Sequence, residues 1–191
     1  MTRQVLFCLL LAVSISACNG GEELPVSVAS LRNELPKLEQ AAMQWRPDAY
    51  LVDANVQLLN EQSSRSAVTG YFQSPSTEFE GILIYLEQDG SIVSELVPFE
   101  AQVPQAVPIT DADWQLDTVE ALERGMTAED RQYLEENSNT KCSFMILERD
   151  VPDAPERVVW RVELAECLLG PSFQSIVIDA NSGDVVRRKS Y

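Results

Sequence analysis

The feature that most constrains the fold of this chain is a period of two in apolar and polar residues, which occurs in two separate regions. In the first region Val52, Ala54 and Val56 alternate with polar residues, as a half-buried β-strand requires. Turn residues such as Asp89-Gly90 divide each region into segments. We therefore predict four antiparallel strands in each region. The predicted strands are Tyr50–Leu58, Ser66–Gln73, Phe79–Glu87 and Ser91–Val97, then Cys142–Glu148, Arg157–Glu166, Phe173–Asp179 and Asp184–Lys189.

An apolar stripe with helical spacing precedes the first set of strands. Its members recur at steps of three and four residues: Val28, Leu31, Leu35, Leu38, Ala42 and Trp45. Pro36 interrupts the stripe, and a proline cannot donate to the hydrogen-bond ladder of a helix. We therefore predict a short helix that ends at Leu35 and a longer one from Pro36 to Trp45.

Two capping signals precede the second set of strands. Asp117 stands three residues before Glu120, which is the spacing of a capping box. Thr127 and Asp130 repeat this spacing, and Gly125 lies between the two signals. The pattern predicts two capped helices separated by Gly125.

Both regions share the order helix, helix and four strands, which predicts an α+β fold of two tandem units with helices on one face of antiparallel sheets. The predicted units are residues 24–97 and 114–191, joined by a proline-containing connector at 98–113. The units either stay separate or form one sheet together. An offset of 93 residues places Gly90 on Gly183, Leu51 on Phe144, Ile84 on Val177, Tyr85 on Ile178, Ile92 on Val185 and Val93 on Val186.

The second region carries a more specific motif. Segment Val159–Leu164 (VWRVEL) precedes an apolar strand that ends in Asp179–Gly183 (DANSG). The motif resembles PepSY-type domains, in which a Trp-centred strand is followed by an apolar strand ending in Asp-Ala-x-x-Gly. Glu87–Ser91 (EQDGS) in the first region looks like a degenerate copy. The resemblance implies an exported, non-catalytic module that inhibits peptidases or binds proteins near the cell surface, and Trp160 with the turn residues Asp179 and Gly183 are its candidate binding residues.

Residues 1–17 resemble a bacterial signal peptide, with Arg3 ahead of the uncharged apolar stretch Val5–Ser14. That stretch is shorter than the roughly 20 apolar residues that a transmembrane helix needs. Residues 15–18 (ISAC) resemble a lipobox, which implies cleavage before Cys18 and lipidation of that cysteine. We therefore expect an envelope protein held at the membrane by lipid on Cys18, with a tether at 18–23; an ordinary secretory signal beside an incidental cysteine is the alternative.

The other cysteines suit an oxidising compartment. Cys8 leaves with the signal peptide, so Cys142 and Cys167 can form one disulfide. Such a cross-link stabilises a fold by roughly 3 kcal/mol in the chain-entropy description. The alternative, a redox or metal-binding pair, lacks the close Cys-x-x-Cys spacing of such sites.

Charge excludes one class of partner. The chain has 30 acidic and 14 basic residues and a formal charge of −16, whereas a nucleic acid is bound by clustered lysines and arginines. The acidity either serves solubility or recognises a basic partner. Arg187, Arg188 and Lys189 form the one basic cluster, interpreted as the end of an edge strand or a contact for acidic partners or lipid headgroups.

Residue chemistry argues against catalysis. The chain contains no histidine, which removes Ser-His-Asp and Cys-His catalysis and histidine-ligated metals. Asp111, Asp113 and Asp117 invite a calcium interpretation, but the EF-hand pattern fails and helix capping by Asp117 explains them better. We expect neither a cofactor nor a metal, although a hydrolase built on paired carboxylates stays a third alternative.

The expected function is therefore a lipid-anchored, non-catalytic binding or regulatory protein of the cell envelope, with inhibition or modulation of a peptidase as its candidate role. The alternative is a structural envelope lipoprotein that supports an assembly or cell-wall contacts. The sheet surface and the loops Ser74–Thr77 and Asp150–Glu156 are the candidate contact regions. A further candidate is an aromatic surface, although such residues usually belong to the core: Trp45, Tyr71, Phe72 and Trp160.

Overall fold

The alternating segments form the strands of an α+β protein. The computed structural model describes residue 24 and residues 27–59, 68–98, 106–136, 143–165 and 172–190, and these contain nine β-strands and three α-helices. The elements of the first region are β1 (Ser27–Val28), α1 (Leu31–Trp45), β2 (Tyr50–Leu59), β3 (Val68–Gln73), β4 (Glu80–Leu86) and β5 (Ile92–Pro98). Those of the second are α2 (Thr118–Gly125), α3 (Ala128–Glu136), β6 (Phe144–Asp150), β7 (Ala154–Ala165), β8 (Ser172–Asp179) and β9 (Val185–Ser190).

All nine strands belong to one antiparallel sheet. The order across the sheet is β5-β4-β3-β2-β6-β7-β8-β9, and the short strand β1 pairs with the end of β2. The two regions meet where β2 pairs with β6, with Ala54 opposite Leu147 and Val56 opposite Met145. The sheet is therefore formed by both regions, which is one of the two arrangements that the sequence left open.

The helices cover one face of this sheet and enclose a continuous core. Helix α1 packs on β2, β3 and β4, while α2 packs on β7 and β8. Ala54 and Val56 from β2 and Trp160 from β7 lie in the same buried cluster. Trp114, in the connector before α2, packs edge-on against Trp160 with ring centroids 6.0 Å apart. Burial of each large apolar side chain contributes about 1.5–3 kcal/mol, so this shared core holds the two regions together.

Helix α1 runs from Leu31 to Trp45, so the predicted break at Pro36 is wrong. Its apolar stripe continues on both sides of the proline, with Leu35 and Leu38 buried against the sheet. A proline inside a helix costs about 3 kcal/mol, and burial of several side chains from the stripe outweighs this cost.

The helical pattern also predicts wrongly that Val28 belongs to the helix. It lies in β1 opposite Leu58, and Ser30 ends the extended segment by capping α1 through a hydrogen bond from the Asn33 amide to its Oγ. Pairing with the end of β2 satisfies backbone groups that an extra helical turn would otherwise have used. The helix therefore begins three residues later than its first apolar position.

The capping signals of the second region are confirmed. Asp117 and Glu120 form a complete capping box at the start of α2. At the start of α3, Asp130 accepts hydrogen bonds from the amide and hydroxyl of Thr127, and its own amide donates to Thr127 Oγ1. Gly125 is the last residue of α2, so the two helices lie on either side of it as predicted.

Several sequence predictions lie outside the described residues. These are the signal peptide, the lipid-bearing Cys18 with its tether, and the disulfide between Cys142 and Cys167. Residues 99–105 of the predicted connector, and residues 66 and 67 of the second predicted strand, lie outside them as well.

Candidate functional site

One end of the sheet carries a cleft of about 350 Å³, here called the end cleft. Its floor is formed by Val52 and Asp53 of β2 and by Glu148 of β6. One wall is the connector at Ala106 and Val107, which crosses this end because the Ala106 amide donates to Gln73 Oε1 and the Ile109 amide to the Leu51 carbonyl. The opposite wall is the β6–β7 hairpin, which contributes the exposed Val151 and Pro155.

The floor of the end cleft borders a network of charges on the face of the sheet away from the helices. The Arg161 guanidinium binds both oxygens of Glu148, at 2.7 and 3.1 Å, and donates to Glu163 at 3.0 Å. Ser175 also donates to Glu163 Oε1, at 2.8 Å. The hydrogen bond that Arg161 donates to Glu148 is the main cause that raises the pKa of Arg161 above its usual value. Glu148 is therefore already neutralised by an arginine within the fold.

A second arginine closes one side of the end cleft and is fixed in place. Arg149 donates to the backbone carbonyls of Pro108 and Glu156 and forms an ion pair with Asp113 at 3.2 Å. Although burial acts in the other direction, hydrogen bonds from Thr110 and the charge of Arg149 lower the pKa of Asp113. Arg149 thereby joins the connector to the β6–β7 hairpin.

Asp53 is the carboxylate of the end cleft that lacks such a partner. Among the described residues, no hydrogen bond or ion pair involves its side chain, although it is only partly exposed. Burial, and after it the negative charge of Glu148, raises the pKa of Asp53 to about 6, against an opposing effect of Arg161. Among the described residues, the end cleft thus presents one carboxylate without a bound partner, between walls that are mostly apolar.

The second surface of interest is the outer edge of the sheet at β5. Within the described part of the chain, β5 pairs only with β4, so its other side is an open edge. Ile92, Val93 and Leu96 are 43%, 52% and 53% exposed, unusually apolar for a free edge. A groove of about 560 Å³ between β5 and α1 has Ile82 and Trp45 among its lining residues, and we call it the edge groove.

The opposite edge, β9, differs in charge. Arg187 binds the buried Asp150 at 2.6 Å and also pairs with Asp153, while Arg188 binds the buried Asp130 at 2.7 Å. The predicted basic cluster therefore lies on an edge strand, and its two arginines are neutralised by acids of the same chain. Charged side chains along an edge oppose pairing with another strand, so β9 is protected where β5 is not.

The candidate binding residues from the sequence motif stabilise the fold of the second region. Trp160 is fully buried and its indole Nε1 donates to the Leu116 carbonyl at 2.8 Å. Asp179 accepts from the amides of Asn181 and Ser182, and Gly183 has φ of 81° in the same turn. These residues hold the second region together, and the structure does not bring Trp160 to a surface.

The other aromatic candidates do not form one surface. Phe72 is buried beneath α1 with 1% exposure, so it belongs to the core, as the alternative interpretation expects. Tyr71 lies on the other face of β3, and Trp45 is partly buried at the end of α1. Alternation along β3 separates Tyr71 from Phe72, because successive side chains of a strand point to opposite faces.

Both predicted contact loops lie at the same end of the sheet. Residues of the Asp150–Glu156 loop line the end cleft. The Ser74–Thr77 turn is held by Asp48, which accepts from Ser74 Oγ at 2.6 Å and from Ser76 Oγ at 3.2 Å. The hydrogen bond from Ser74 is the main cause that lowers the pKa of Asp48. The sequence therefore pointed to this end of the fold without identifying Asp53.

Asp53 was missed because its position in the alternating pattern is that of an ordinary solvent-facing residue. Ala54 faces the helices, so Asp53 faces the other side, where strands from the second region bring Glu148 and Arg161 close. Those neighbours are about 95 to 108 residues away in the chain. No local signal could have indicated that this side of β2 would be walled in.

The aspartates considered for calcium have other roles. Asp117 caps α2, as the preferred interpretation expects, and Asp113 is occupied by Thr110 and Arg149. No group of three or more potential metal-ligating side chains occurs among the described residues. In the same part of the chain, no helix is long and apolar enough to cross a membrane.

Comparison of the chain with protein-family models, with curated proteins and with solved structures finds no match.

Proposed function

We propose that this chain is a lipid-anchored, non-catalytic binding protein of the bacterial cell envelope that adds an extended segment of a partner polypeptide to β5. The observation that carries the proposal is the open edge of β5 with its three exposed apolar side chains. Backbone groups along such an edge bind an added strand, and side-chain pockets beside it select the partner. The edge groove beside α1 supplies such a pocket. Because side chains of a strand alternate between its two faces, every second residue of the added partner strand would face this groove.

The charge of the chain indicates which partner the edge takes. At −16, two copies of the chain repel each other, so self-association through β5 is disfavoured. Lys37 is a basic residue that lines the edge groove, and it forms an ion pair with Glu34 of its own helix. We therefore expect an extended segment that carries both basic and apolar residues.

Support for an envelope binding module also comes from the likeness between the two regions, which we propose to be tandem copies of one unit. Val68 lies opposite Leu86, and the residues 92 positions later, Trp160 and Ile178, lie opposite each other as well. The turns that follow both contain a glycine with positive φ, 83° at Gly90 and 81° at Gly183.

The second of these turns is one residue longer. The Gly90 amide donates to the Glu87 carbonyl, whereas the Gly183 amide donates to the Asp179 carbonyl. The offset between the copies is therefore 92 before the turn and 93 directly after it, where Ile92 corresponds to Val185. Beyond the register shift between β8 and β9 the offset becomes 94, so Val93 corresponds to Arg187. Under this alignment Ile84 corresponds to Ile176 instead of Val177. A PepSY-like unit in tandem fits a protein that regulates a peptidase or another envelope protein.

A matched pair of variants tests strand addition. Ile92→Lys places a charge on the open edge, while Val185→Lys places one on the opposite edge at a residue of similar exposure, 42% against 43%. The probe is the peptide acetyl-Lys-Val-Lys-Val-Lys-Val-amide, with a Glu-Val peptide as its charge control. We expect the basic peptide to slow amide hydrogen exchange in β5, and only Ile92→Lys to abolish this. Protection elsewhere, or an equal effect of both variants, contradicts strand addition.

The alternative function is that of a structural envelope lipoprotein. The open edge of β5 favours this alternative less, because a purely structural role does not require a groove that selects a partner. A deletion strain separates the two functions. Altered envelope integrity with unchanged extracellular proteolysis favours the structural alternative, whereas altered proteolysis favours regulation of a peptidase. The lipid anchor is tested separately by the mass of the N-terminal fragment, and Cys18→Ser is expected to release the protein from membranes.

A further inference from the structure

The end cleft holds one carboxylate to which no other described residue is bound as a counter-ion. Glu148 is bound through both oxygens by Arg161, and Arg149 is bound by Asp113 and two backbone carbonyls. Asp53 has neither kind of partner among the described residues. Burying an unpaired carboxylate is costly, and a protein commonly avoids this by pairing or solvating the group.

The walls around Asp53 are mostly apolar, and the one cation among the lining residues, Arg149, is already bound by Asp113 and two backbone carbonyls. Val52, Val107 and Val151 line the end cleft beside it, and Ala106 and Pro155 complete the two sides. A cavity of about 350 Å³ is large enough for a small molecule or one long side chain. A ligand that fits must therefore combine one positive charge with an apolar body.

We propose that the end cleft binds an amine or guanidinium group carried on an apolar stem, with the carboxylate of Asp53 as counter-ion and Val107 and Val151 in contact with the stem. A metal ion fits the site less well, because Ca²⁺ requires six to eight oxygen ligands and Glu148 is already taken by Arg161. An anion would meet the charge of Asp53. The cation is either a free small amine or a lysine or arginine side chain of a protein.

Binding of a cation is linked to the proton on Asp53. Four titratable or charged side chains surround this carboxylate, from three strands: Tyr71 of β3, Glu148 and Arg149 of β6, and Arg161 of β7. The raised pKa of Asp53, about 6, means that its carboxylate takes up a proton as the pH falls below that value. A bound cation competes with that proton, so affinity falls towards tenfold per pH unit below about 6.

The test uses the purified protein and benzylamine as the probe, with benzyl alcohol as its neutral analogue of similar shape. Binding is followed by NMR shifts of Val52, Val107 and Val151. We expect benzylamine to bind at least tenfold more tightly than the alcohol at pH 7.5, and to weaken at pH 5. Asp53→Asn, which preserves the shape of the side chain, should remove this preference, whereas Asp111→Asn, at an exposed acid outside the cleft, should not. Equal binding of the two probes, or an unchanged preference in Asp53→Asn, overturns the proposal.

Two further experiments identify the source of the cation and separate this site from β5. N-acetyl-arginine amide, a mimic of a protein side chain, is compared with benzylamine, and the tighter of the two identifies the source of the cation. Ile92→Lys, on the edge strand β5 and three strands away from β2, is expected to leave benzylamine binding unchanged. Failure of strand addition at β5 and failure of the cation site are therefore separate outcomes.

Discussion

Ser30 and Asp117 cap two different helices and are hydrogen-bonded to each other, with Ser30 Oγ donating to Asp117 Oδ2. Ser30 also accepts from the Asn33 amide, and Asp117 accepts from the Thr118 amide and, at longer distance, from the Arg32 amide. The start of α1 in the first region is therefore coupled to the start of α2 in the second. Each residue serves its own helix and the junction between the regions.

This coupling predicts a non-additive pair of substitutions. We expect Ser30→Ala and Asp117→Ala each to lower the free energy of unfolding by about 1–2 kcal/mol, because each removes a cap. The double variant should lose less than the sum, by about 0.5–1 kcal/mol, since the bond between the caps is lost only once. Denaturant unfolding of all four proteins measures the coupling, and strictly additive losses would contradict it.

Removal of Arg161 from the charged network is expected to destabilise the fold strongly. Arg161→Met leaves Glu163, whose side chain is 6% exposed, with Ser175 as its remaining polar contact and without a counter-ion. We expect a loss of about 2–4 kcal/mol in the free energy of unfolding. Arg46→Met is the matched control, because its ion pair with Glu80 is 3.7 Å long and exposed, and should cost under about 1 kcal/mol. Similar losses in both variants would show that Arg161 does not stabilise a buried charge.

Asp53 predicts a pH dependence of stability. Its pKa is about 6 in the folded protein, against 3.8 for an unperturbed aspartate. Between these values the folded protein binds more protons than the unfolded chain, so this group makes stability fall as the pH rises from about 4 to 6.

Asp53→Asn removes this contribution. We expect the variant to be more stable than the parent protein by about 1–3 kcal/mol at pH 7.5, and by little or nothing at pH 4. Chemical denaturation across this pH range provides the measurement. A difference between the two proteins that stays constant with pH would show that Asp53 titrates normally.

Two glycines in hairpin turns predict unequal costs of substitution. Gly90 and Gly183 both have positive φ, but a Cβ on Gly90 would meet nothing within 4 Å, whereas one on Gly183 would overlap Arg124 and contact Leu116. We expect Gly90→Ala to cost about 1 kcal/mol from backbone strain alone, and Gly183→Ala to cost more. Thermal unfolding of the two variants gives the comparison, and a larger loss in Gly90→Ala would contradict the packing argument.

The predicted disulfide between Cys142 and Cys167 can be tested by thiol reactivity. If Cys142 and Cys167 form a disulfide, neither thiol reacts in the denatured, unreduced protein. Reduction should expose both thiols and lower the free energy of unfolding by about 3 kcal/mol. Reactive thiols before reduction would exclude the pairing.

Much of the secondary structure could be predicted because it depends on local patterns. The alternation in β2 and the capping box of Asp117 and Glu120 each act over a few residues, so the sequence alone contains their whole cause. The break at Pro36 was predicted wrongly, since the penalty of a proline is local while the burial that outweighs it is not.

The sequence by itself thus determined an acidic α+β chain without histidine, with capped helices and antiparallel strands. Only the tertiary structure decided that β2 pairs with β6, and this pairing sets Asp53 beside Glu148 and leaves β5 as an open edge. The physical reason is that a strand's pattern specifies which face is buried, but not which strand lies next to it. The neighbours of Asp53 come from distant parts of the chain, so the burial of its carboxyl group beside Glu148 exists only in the folded protein.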